Sequence, residues 1–172
     1  MRCGYLSVVI VDERILPLIN TAQAAEPRWI WRNNYMKVKL DNKAYAPTRA
    51  HSTDAGLDLR SPTEFVIYPK TRMAVDTGVH VRLPNGTVGL IKSRSGLNVK
   101  HGILCEGVID EGYTGSIVVN LYNHSEDFVS FSRGDKIAQL LIVPCLYETV
   151  EIVDDLPKTD RGDNGFGSTG RN

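Results

Sequence analysis

The sequence predicts an all-β domain of the sandwich, jelly-roll or barrel type, and three observations lead to that prediction. Short runs of β-branched, aromatic and other apolar residues follow one another along most of the chain. Turn-forming residues separate these runs, as in Pro84-Asn85-Gly86 and Arg133-Gly134-Asp135. No amphipathic helical pattern lies between them, and closely spaced strands without intervening helices are typical of all-β folds.

The individual elements follow from the alternation of apolar residues and from the turns. The segment Met36-Lys37-Val38-Lys39-Leu40 alternates as a half-buried strand does, which makes it the first predicted strand. Further strands are predicted over Leu57–Arg60, Phe65–Tyr68, Met73–Val75, Val79–Leu83, Val88–Lys92, Ser116–Tyr122, Phe128–Phe131, Ile137–Val143 and Thr149–Val153. A single helical turn is expected from Ser95 to His101.

The chain has the length of one domain and divides into three parts. At 172 residues it is large enough to bury a core. Residues 36–153 carry the predicted strands and form the β core. Residues 1–35, which include Trp29 and Trp31, form an N-terminal extension to which the sequence assigns no role. Residues 154–172 form a glycine-rich arm.

Charge and composition exclude several classes of function. The 20 Lys and Arg residues balance the 20 Asp and Glu residues, so no overall field attracts a nucleic-acid polymer or an anionic membrane. No apolar run is long enough to span a membrane, and Asp12-Glu13-Arg14 interrupts the apolar core that a signal peptide needs. The three cysteines show neither a disulfide pattern nor zinc-ligand spacing. We therefore expect a cytoplasmic protein that holds any phosphate-bearing ligand through a local cluster of charges.

The C-terminal arm carries several reactive groups but little apolar surface. Residues 161–170, RGDNGFGSTG, contain four glycines, one aromatic ring and one guanidinium. Too little apolar surface is present to offset the entropy of ordering the arm, so it should be mobile by itself. Its guanidinium, glycine amides and ring suit a lid over a nucleotide polyphosphate. A frayed terminus explains the composition equally well.

Residues 107–115, GVIDEGYTG, contain the first candidate for catalysis. They predict a hairpin whose second strand begins at Ser116. Asp110 at such a turn commonly bonds its own backbone. The functional interpretation is a carboxylate on a rigid hairpin that orients a water molecule and takes its proton. Tyr113 is either a strand aromatic that covers the hairpin or a flat wall for a ligand.

Polar groups at three further places are candidates for binding. Lys92-Ser93-Arg94-Ser95-Gly96 has the cations, hydroxyls and glycine that suit phosphate oxygens, although a solvated turn is of comparable weight. Asp58 lies inside a strand, where Arg60 or a metal-bound water is the expected partner of its charge. Gln139 interrupts an apolar strand, and it lies either on the solvent face, which its own segment favours, or within a site where it forms hydrogen bonds.

Taken in order, five segments resemble the motifs of the deoxyuridine triphosphatase (dUTPase) family. They are Ala55–Leu59, Arg94–Leu97, Gly107–Asp110 with Tyr113, Gly134–Gln139, and Arg161–Gly162 with Phe166–Gly170. The resemblance covers about residues 36 to 170. Five motifs in the same order are far more specific than any one of them.

The resemblance implies a jelly-roll-like homotrimer with a mobile C-terminal arm and active sites shared between subunits. It implies hydrolysis of dUTP to dUMP and pyrophosphate, with Mg²⁺ bound to the triphosphate. In that reaction Asp110 would hold and activate the attacking water. Asp58 would support the hydration shell of the metal.

The same resemblance implies how the substrate is bound. The phosphates would be contacted by Arg94, Ser95, Gly96 and Gln139. The hairpin backbone would read the uracil edge at Gly107, Val108, Ile109 and Val118, while Tyr113 packs under the deoxyribose. The arm would place Phe166 on the base, and the β- and γ-phosphates would be covered by Arg161, Gly167, Ser168 and Thr169.

Two alternatives belong to other classes of protein. A dCTP deaminase shares the fold, but the positions of its catalytic glutamate and arginine look to be Asn120 and Asn98 here, and a carboxamide cannot shuttle the proton that deamination needs. A regulatory or interaction protein on this fold is the second alternative, with Trp29 and Trp31 available to a partner.

Overall fold

Residues 35–162 are described in the computed structural model of the chain, and they contain ten strands and one helix. In chain order these elements are β1 Lys37–Leu40, β2 Leu57–Arg60, β3 Phe65–Ile67, β4 Arg72–Arg82, β5 Thr87–Lys92, α1 Ser95–His101, β6 Ile103–Leu104, β7 Glu106–Ile109, β8 Ser116–Asn123, β9 Val129–Phe131 and β10 Lys136–Pro144. The predicted extension with Trp29 and Trp31 lies outside the described residues.

The strands form two four-stranded antiparallel sheets and one small ribbon. One sheet has the order β1-β4-β8-β6, the other has the order β2-β10-β5-β7, and β3 pairs with β9. A single apolar core joins the two large sheets, because Val79 and Val119 of the first sheet belong to the same buried cluster as Leu59 and Leu140 of the second. Each such side chain contributes roughly 1.5–3 kcal/mol by leaving water. The predicted all-β layered fold is confirmed.

Strand β4 differs from the prediction because two strands that the sequence predicts form one continuous strand in the structure. Met73–Val75 and, apart from its last residue Leu83, Val79–Leu83 fall within the eleven-residue strand Arg72–Arg82. Its pairing with β8 shifts register between Asp76 and His80, where the backbone bends at Gly78 with a positive φ of 64°. The apparent break in the sequence pattern is therefore a bulge inside a continuous strand.

The strand predicted over Thr149–Val153 is wrong for the part of the chain described. No strand forms there, and Val150 and Ile152 are 86% and 94% exposed. β-branched residues favour an extended backbone, but a strand also requires a neighbour to pair and pack with. No strand within residues 35–162 takes that role.

The predicted helical turn is confirmed as α1, which follows β5 directly. Arg94 is its N-cap in extended conformation, and Gly102 ends it in the left-handed region, donating its N–H to the Asn98 carbonyl at 2.9 Å. Lys100 and His101 lie in the last turn, where positive charge interacts favourably with the helix dipole. Within residues 35–162 no helix has the length and apolarity to cross a membrane.

Candidate active site

Asp58 on β2 lies at the centre of a group of charges. Its Oδ1 accepts from Nε of Arg94 at 3.0 Å, and its Oδ2 lies 2.5 Å from Nζ of Lys136. Only 13% of its side chain is exposed, so pairing compensates most of the cost of burying the carboxylate. The expected partner Arg60 instead donates to the carbonyl of Gly134 at 2.7 Å, which corrects that interpretation.

Gln139 on β10 completes this group. It lies opposite Asp58 in the pairing with β2 and opposite Lys92 in the pairing with β5. Its Nε2 donates to the Ser93 carbonyl at 3.0 Å. The interpretation that Gln139 lies on the solvent face is wrong, because the side chain is half-buried between the two neighbouring strands. We refer to Asp58, Arg94, Lys136 and Gln139 as the charged cluster.

Gly56 fits closely against the charged cluster. A Cβ at this position would come within 2.4 Å of Gln139 Oε1 and 3.0 Å of Gln139 Cβ. No real Cβ sits that close to another heavy atom, so a larger residue would displace the Gln139 amide. The observed conformation of Gln139 therefore requires glycine at position 56.

The turn between β5 and α1 is anchored through Ser93. The Ser93 hydroxyl accepts from the Cys105 N–H at 2.7 Å and donates to the Cys105 carbonyl at 3.1 Å. Beyond this anchor, Ser95 is exposed and an added Cβ at Gly96 would meet nothing within 4 Å. The backbone at the start of α1 is therefore open to an approaching ligand.

The second candidate region is the corner formed by β7, residues 110–115 and β8. The prediction of a simple hairpin is corrected here, since β7 pairs with β5 and β8 pairs with β4, in different sheets. β7 is an edge strand, and β6 covers β8 only at its far end. Val108 and Val118 are 64% and 52% exposed. The facing edges of the two strands are thus accessible at this corner. Residues 110–115 are called the Asp110 turn below.

The Asp110 carboxylate is exposed, and no residue between 35 and 162 donates a hydrogen bond to it. The turn is closed by the backbone instead, with the Tyr113 N–H donating to the Asp110 carbonyl at 3.0 Å. The Asp110 side chain is therefore not a cap of its own turn. It lines a cleft of about 530 Å³ together with Arg82, Glu111 and Tyr147, a volume within the range of ligand sites.

Glu111 ties the Asp110 turn to its surroundings. Its Oε2 accepts from the Gly86 N–H at 2.8 Å and from the Tyr147 hydroxyl at 2.9 Å. The hydrogen bond to Glu111 is the main reason that the pKa of Tyr147 rises to about 12, so this hydroxyl stays a donor at any working pH. Both contacts fix the backbone next to Asp110.

Tyr113 folds back over the end of the Asp110 turn. Its hydroxyl donates to the Ser116 carbonyl at 2.9 Å. A Cβ at Gly115 would lie 2.5 Å from that hydroxyl oxygen, so glycine at 115 leaves room for the ring. The ring remains partly exposed, which is compatible with both the covering and the ligand-wall interpretation.

The charged cluster and the Asp110 turn lie at opposite ends of β5. Ile109 pairs with Gly89, so Asp110 is level with the first half of β5, whereas Arg94 follows its last residue Lys92. Asp110 is level with Val88 and Gln139 is level with Lys92, four residues further along β5, which is about 13 Å at about 3.3 Å per residue. One chain by itself therefore does not bring Asp110 to the charged cluster.

The remaining predicted positions are divided by the boundary of the described residues. Gly107 is half-buried against Ile91, Ile109 is buried, and Arg161 is exposed. Cys105 and Cys145 are free thiols, and burial raises the pKa of Cys105. Four predicted residues of the arm lie outside the described residues: Phe166, Gly167, Ser168 and Thr169.

The model of the dUTPase family matches residues 42–170. The chain belongs to the dUTPase family. The deoxyuridine 5'-triphosphate nucleotidohydrolase of Clostridium novyi (strain NT) is 45% identical over 135 residues, covering 77% of this chain and 95% of that protein. The mitochondrial enzyme of that name from Homo sapiens is 38% identical over 157 residues, covering 91% of this chain and 62% of that protein.

Solved dUTPase structures share the fold. The dUTPase of Staphylococcus bacteriophage 80alpha with dUPNHPP has a TM-score of 0.75 and 32% identity, covering 80% of this chain and 99% of that chain. A mutant dUTPase from phage phi11 of S. aureus, whose structure concerns the coordination of a structural Mg(II) ion, has a TM-score of 0.66 and 31% identity, covering 71% of this chain and 98% of that chain.

Sequence reasoning named Ser93 only as a hydroxyl suited to phosphate and missed Lys136 and Gly56, although all three residues shape the charged cluster. Lys136 shares Asp58 with Arg94, Ser93 anchors the turn before α1, and Gly56 leaves room for Gln139. Lys136 opens β10 three residues before Gln139, so a strand pairing of β2 with β10 would have indicated it. The pairing of β2 with β10 cannot be predicted from the sequence of either strand alone.

Proposed function

We propose that this chain hydrolyses dUTP to dUMP and pyrophosphate in a Mg²⁺-dependent reaction, with Asp110 as the base that activates water. The observation that carries the proposal is the exposed Asp110 carboxylate on a turn that Glu111 anchors to Gly86 and Tyr147. An ionised carboxylate accepts hydrogen bonds through both oxygens, so Asp110, which has no donor within residues 35–162, is available to a water molecule. Family membership supplies the substrate.

In the proposed reaction a water oxygen attacks the α-phosphorus and loses its proton to the Asp110 carboxylate. The bond between the α-phosphorus and the oxygen that bridges to the β-phosphate breaks, and pyrophosphate leaves with that oxygen. A positioned base of this kind contributes roughly 10²–10⁴ in rate. The remainder is electrostatic stabilisation of charge on the phosphates.

The charged cluster is suited to hold those phosphates. Arg94 uses Nε for Asp58, and its guanidinium carries further donors in a fork that matches phosphate oxygens. Ser95 and Gly96 add an exposed hydroxyl and an open backbone at the start of α1. Gln139 is held at the same place by Ser93, which supports its proposed contact with a phosphate.

Mg²⁺ is proposed to arrive with the triphosphate, where it neutralises phosphate charge. Within residues 35–162 no group of three or more His, Cys, Asp or Glu side chains is arranged to hold a metal. Both oxygens of Asp58 already face cations, but a carboxylate can accept more than two hydrogen bonds. Asp58 is therefore suited to a contact through a metal-bound water, and Mg²⁺ keeps such waters readily.

The uracil is proposed to bind at the corner between β7 and β8. The two strands pair with different sheets, so their facing backbone edges at Gly107, Val108, Ile109 and Val118 are available to the base. A narrow backbone slot excludes a 5-methyl group by contact, which discriminates more than the roughly 1–3 kcal/mol that attraction to one methyl provides. Tyr113 borders this corner and is proposed to pack under the deoxyribose.

A homotrimer with shared sites is proposed on the separation of the two regions. Asp110 and Gln139 lie about 13 Å apart along β5 and on strands that are not neighbours, and a second copy of the chain is proposed to bring the two regions together around one substrate. Residues 36–153 would supply the core and residues 154–172 the lid. In that lid, Arg161, Gly167, Ser168 and Thr169 are proposed to cover the distal phosphates and Phe166 the base.

Pyrophosphate release from four nucleotides tests the proposal. With Mg²⁺ we expect release from dUTP, release more than about 10-fold slower from dTTP, dCTP and UTP, and none above background when the metal is chelated. Equal rates for all four nucleotides would contradict the proposed uracil site. Ammonia released from dCTP would instead support the deaminase alternative.

A further inference from the structure

Strand β4 carries a bulge opposite the second strand of the candidate corner. Asp76 pairs with Val118 and His80 with Ser116, so four steps along β4 match two steps along β8. Gly78 in the bulge has a φ of 64°, and a Cβ there would lie 2.9 Å from Ala44 Cβ. Both observations require glycine, and bulges next to active sites commonly redirect a side chain.

Side chains on both strands hold this bulge in place. Asp76 accepts from the Gly78 N–H at 2.9 Å and from the Ser116 hydroxyl. The hydroxyl contact is the main reason that the pKa of Asp76 is lowered. Thr77 is fully buried and donates to the Ile117 carbonyl at 2.7 Å. The side chain after the bulge, His80, is therefore aimed by a rigid backbone.

His80 lies between two groups that can only accept hydrogen bonds. Its Nδ1 is 2.9 Å from the carbonyl oxygen of Thr114, and its Nε2 is 3.0 Å from Oδ2 of Asp41. A neutral imidazole has one N–H, whereas the imidazolium has two. Only the charged ring satisfies both contacts, and the side chain is 20% exposed.

We propose that His80, held as an imidazolium by Asp41, is a positioning residue that clamps the Asp110 turn through the Thr114 carbonyl. The inference rests on the proposed function, because a fixed turn matters only if Asp110 and Tyr113 act on the substrate as proposed. The contacts of Glu111 hold the turn near Asp110, and the clamp holds its other end. Together they fix the corner from both sides without touching the Asp110 carboxylate.

The charges around His80 favour its protonated form. Asp41 faces it from the turn after β1 and Asp76 lies on its own strand, while the cation Lys39 is its partner on β1. Lys39 is itself 3.5 Å from Asp41. The hydrogen bond to Asp41, followed by that to Thr114, raises the pKa of His80 above 6.5, and the same pair lowers the pKa of Asp41.

The direction of the pH effect follows from these contacts. Below 6.5 the folded ring is charged and both contacts are formed. As the pH rises through the raised pKa, the ring loses one N–H and one of the two contacts becomes a repulsive pair of acceptors. The clamp therefore weakens on the alkaline side.

The test compares kcat/KM of the wild type with that of His80→Gln from about pH 6 to pH 9, where such a histidine titrates. We expect the wild type to be faster by on the order of tenfold at the acidic end, less than the about 10²-fold that a misplacement of about 1 Å can cost. The ratio should approach one at the alkaline end, because a neutral ring and an amide both lack the second charged contact. A ratio that is constant with pH would overturn the proposal.

Asp41→Asn is the matched variant, because it keeps an acceptor for Nε2 and removes the charge. We expect the alkaline fall in kcat/KM to move to lower pH with its shape unchanged. An unshifted fall would mean that another group titrates. If His80→Gln reduces folding, Asp41→Asn still decides the question.

An NMR titration without substrate separates this inference from the proposed function. We expect the His80 ring signal, identified by its absence from His80→Gln, to titrate above 6.5, and the amide signals of Gly112 to Gly115 to shift with the same midpoint. If the amide signals of the turn do not shift with the His80 titration, the clamp is overturned, regardless of the measured hydrolysis rate. Failure of Asp110 substitution to affect hydrolysis would overturn the proposed function and leave this titration intact.

Discussion

The charged cluster and the Asp110 turn are built in opposite ways. In the cluster, the neighbouring strands β2 and β10 place Asp58 opposite Gln139, and the Asp58 carboxylate pairs with Arg94 and Lys136. In the turn, two strands separate into different sheets, and the central carboxylate has no donor within residues 35–162. The groups proposed to bind phosphate are held by pairing, whereas the carboxylate proposed to react has no partner within residues 35–162.

The surroundings of the Asp110 turn explain how an unpaired group stays in place. Glu111 bonds Gly86 and Tyr147 on one side, and Thr114 meets His80 on the other. Asp110 itself contributes only its backbone carbonyl, and the side-chain contacts that fix the turn belong to its neighbours. Substitutions of Asp110 should therefore affect chemistry, whereas substitutions in the charged cluster should affect binding and packing together.

Asp110→Asn should give the largest effect. The amide has nearly the same shape but cannot take a proton, so we expect kcat to fall by about 10²–10⁴-fold with KM changed little. Stability should be unchanged because the carboxylate has no donor to lose within the described residues. Steady-state pyrophosphate release and thermal unfolding measure the two quantities.

The control for that variant is Asp127→Asn, the same change in the exposed segment between β8 and β9. It should leave both quantities at wild-type values. Wild-type turnover in Asp110→Asn would show that the base has been assigned to the wrong residue.

Arg94→Lys should give an intermediate effect, mainly on binding. Lysine keeps the charge but loses the fork that bonds Asp58 and a phosphate together, and loss of a charged hydrogen bond of about 1.5–3 kcal/mol corresponds to about 10–100-fold in kcat/KM. We expect most of it in KM. Arg72→Lys, at the exposed start of β4, is the matched control. A fall confined to kcat would place Arg94 in the chemistry instead.

The sequence predicted the strands better than it predicted the contacts between them. Alternation locates β8 because its buried side chains recur at every second position. The partners of Asp58 come from two distant segments, and register between strands decides them. Arg60 is two residues from Asp58 and therefore the natural expectation, yet Arg94 and Lys136 occupy the carboxylate.

The strand predicted at Thr149–Val153 shows the converse limit. Its residues have high β propensity, but propensity has an effect only where a neighbouring strand supplies pairing and burial. Four of the five motifs fall in the two candidate regions, because each motif is local. The arrangement of those regions about 13 Å apart along β5 is a property of the sheet, which no single segment contains.

Gly56→Ala should give the smallest effect, and it tests whether the charged cluster depends on packing. The added methyl would collide with Gln139 at 2.4 Å from Oε1 and 3.0 Å from Cβ. The amide can rotate away but the Cβ is fixed to β10, so we expect a loss of about 1–3 kcal/mol in unfolding free energy. KM for dUTP should rise severalfold as the amide leaves its place beside Ser93.

Gly96→Ala is the matched control for stability, because the added methyl meets nothing within 4 Å and lies in α1. Alanine favours a helix over glycine by up to about 1 kcal/mol, so this variant should be no less stable than the wild type. Denaturant unfolding of both variants compares the two sites directly. Should Gly56→Ala be as stable as Gly96→Ala with an unchanged KM, close packing of Gln139 would not be what preorganises the charged cluster, and its ion pairs alone would have to do so.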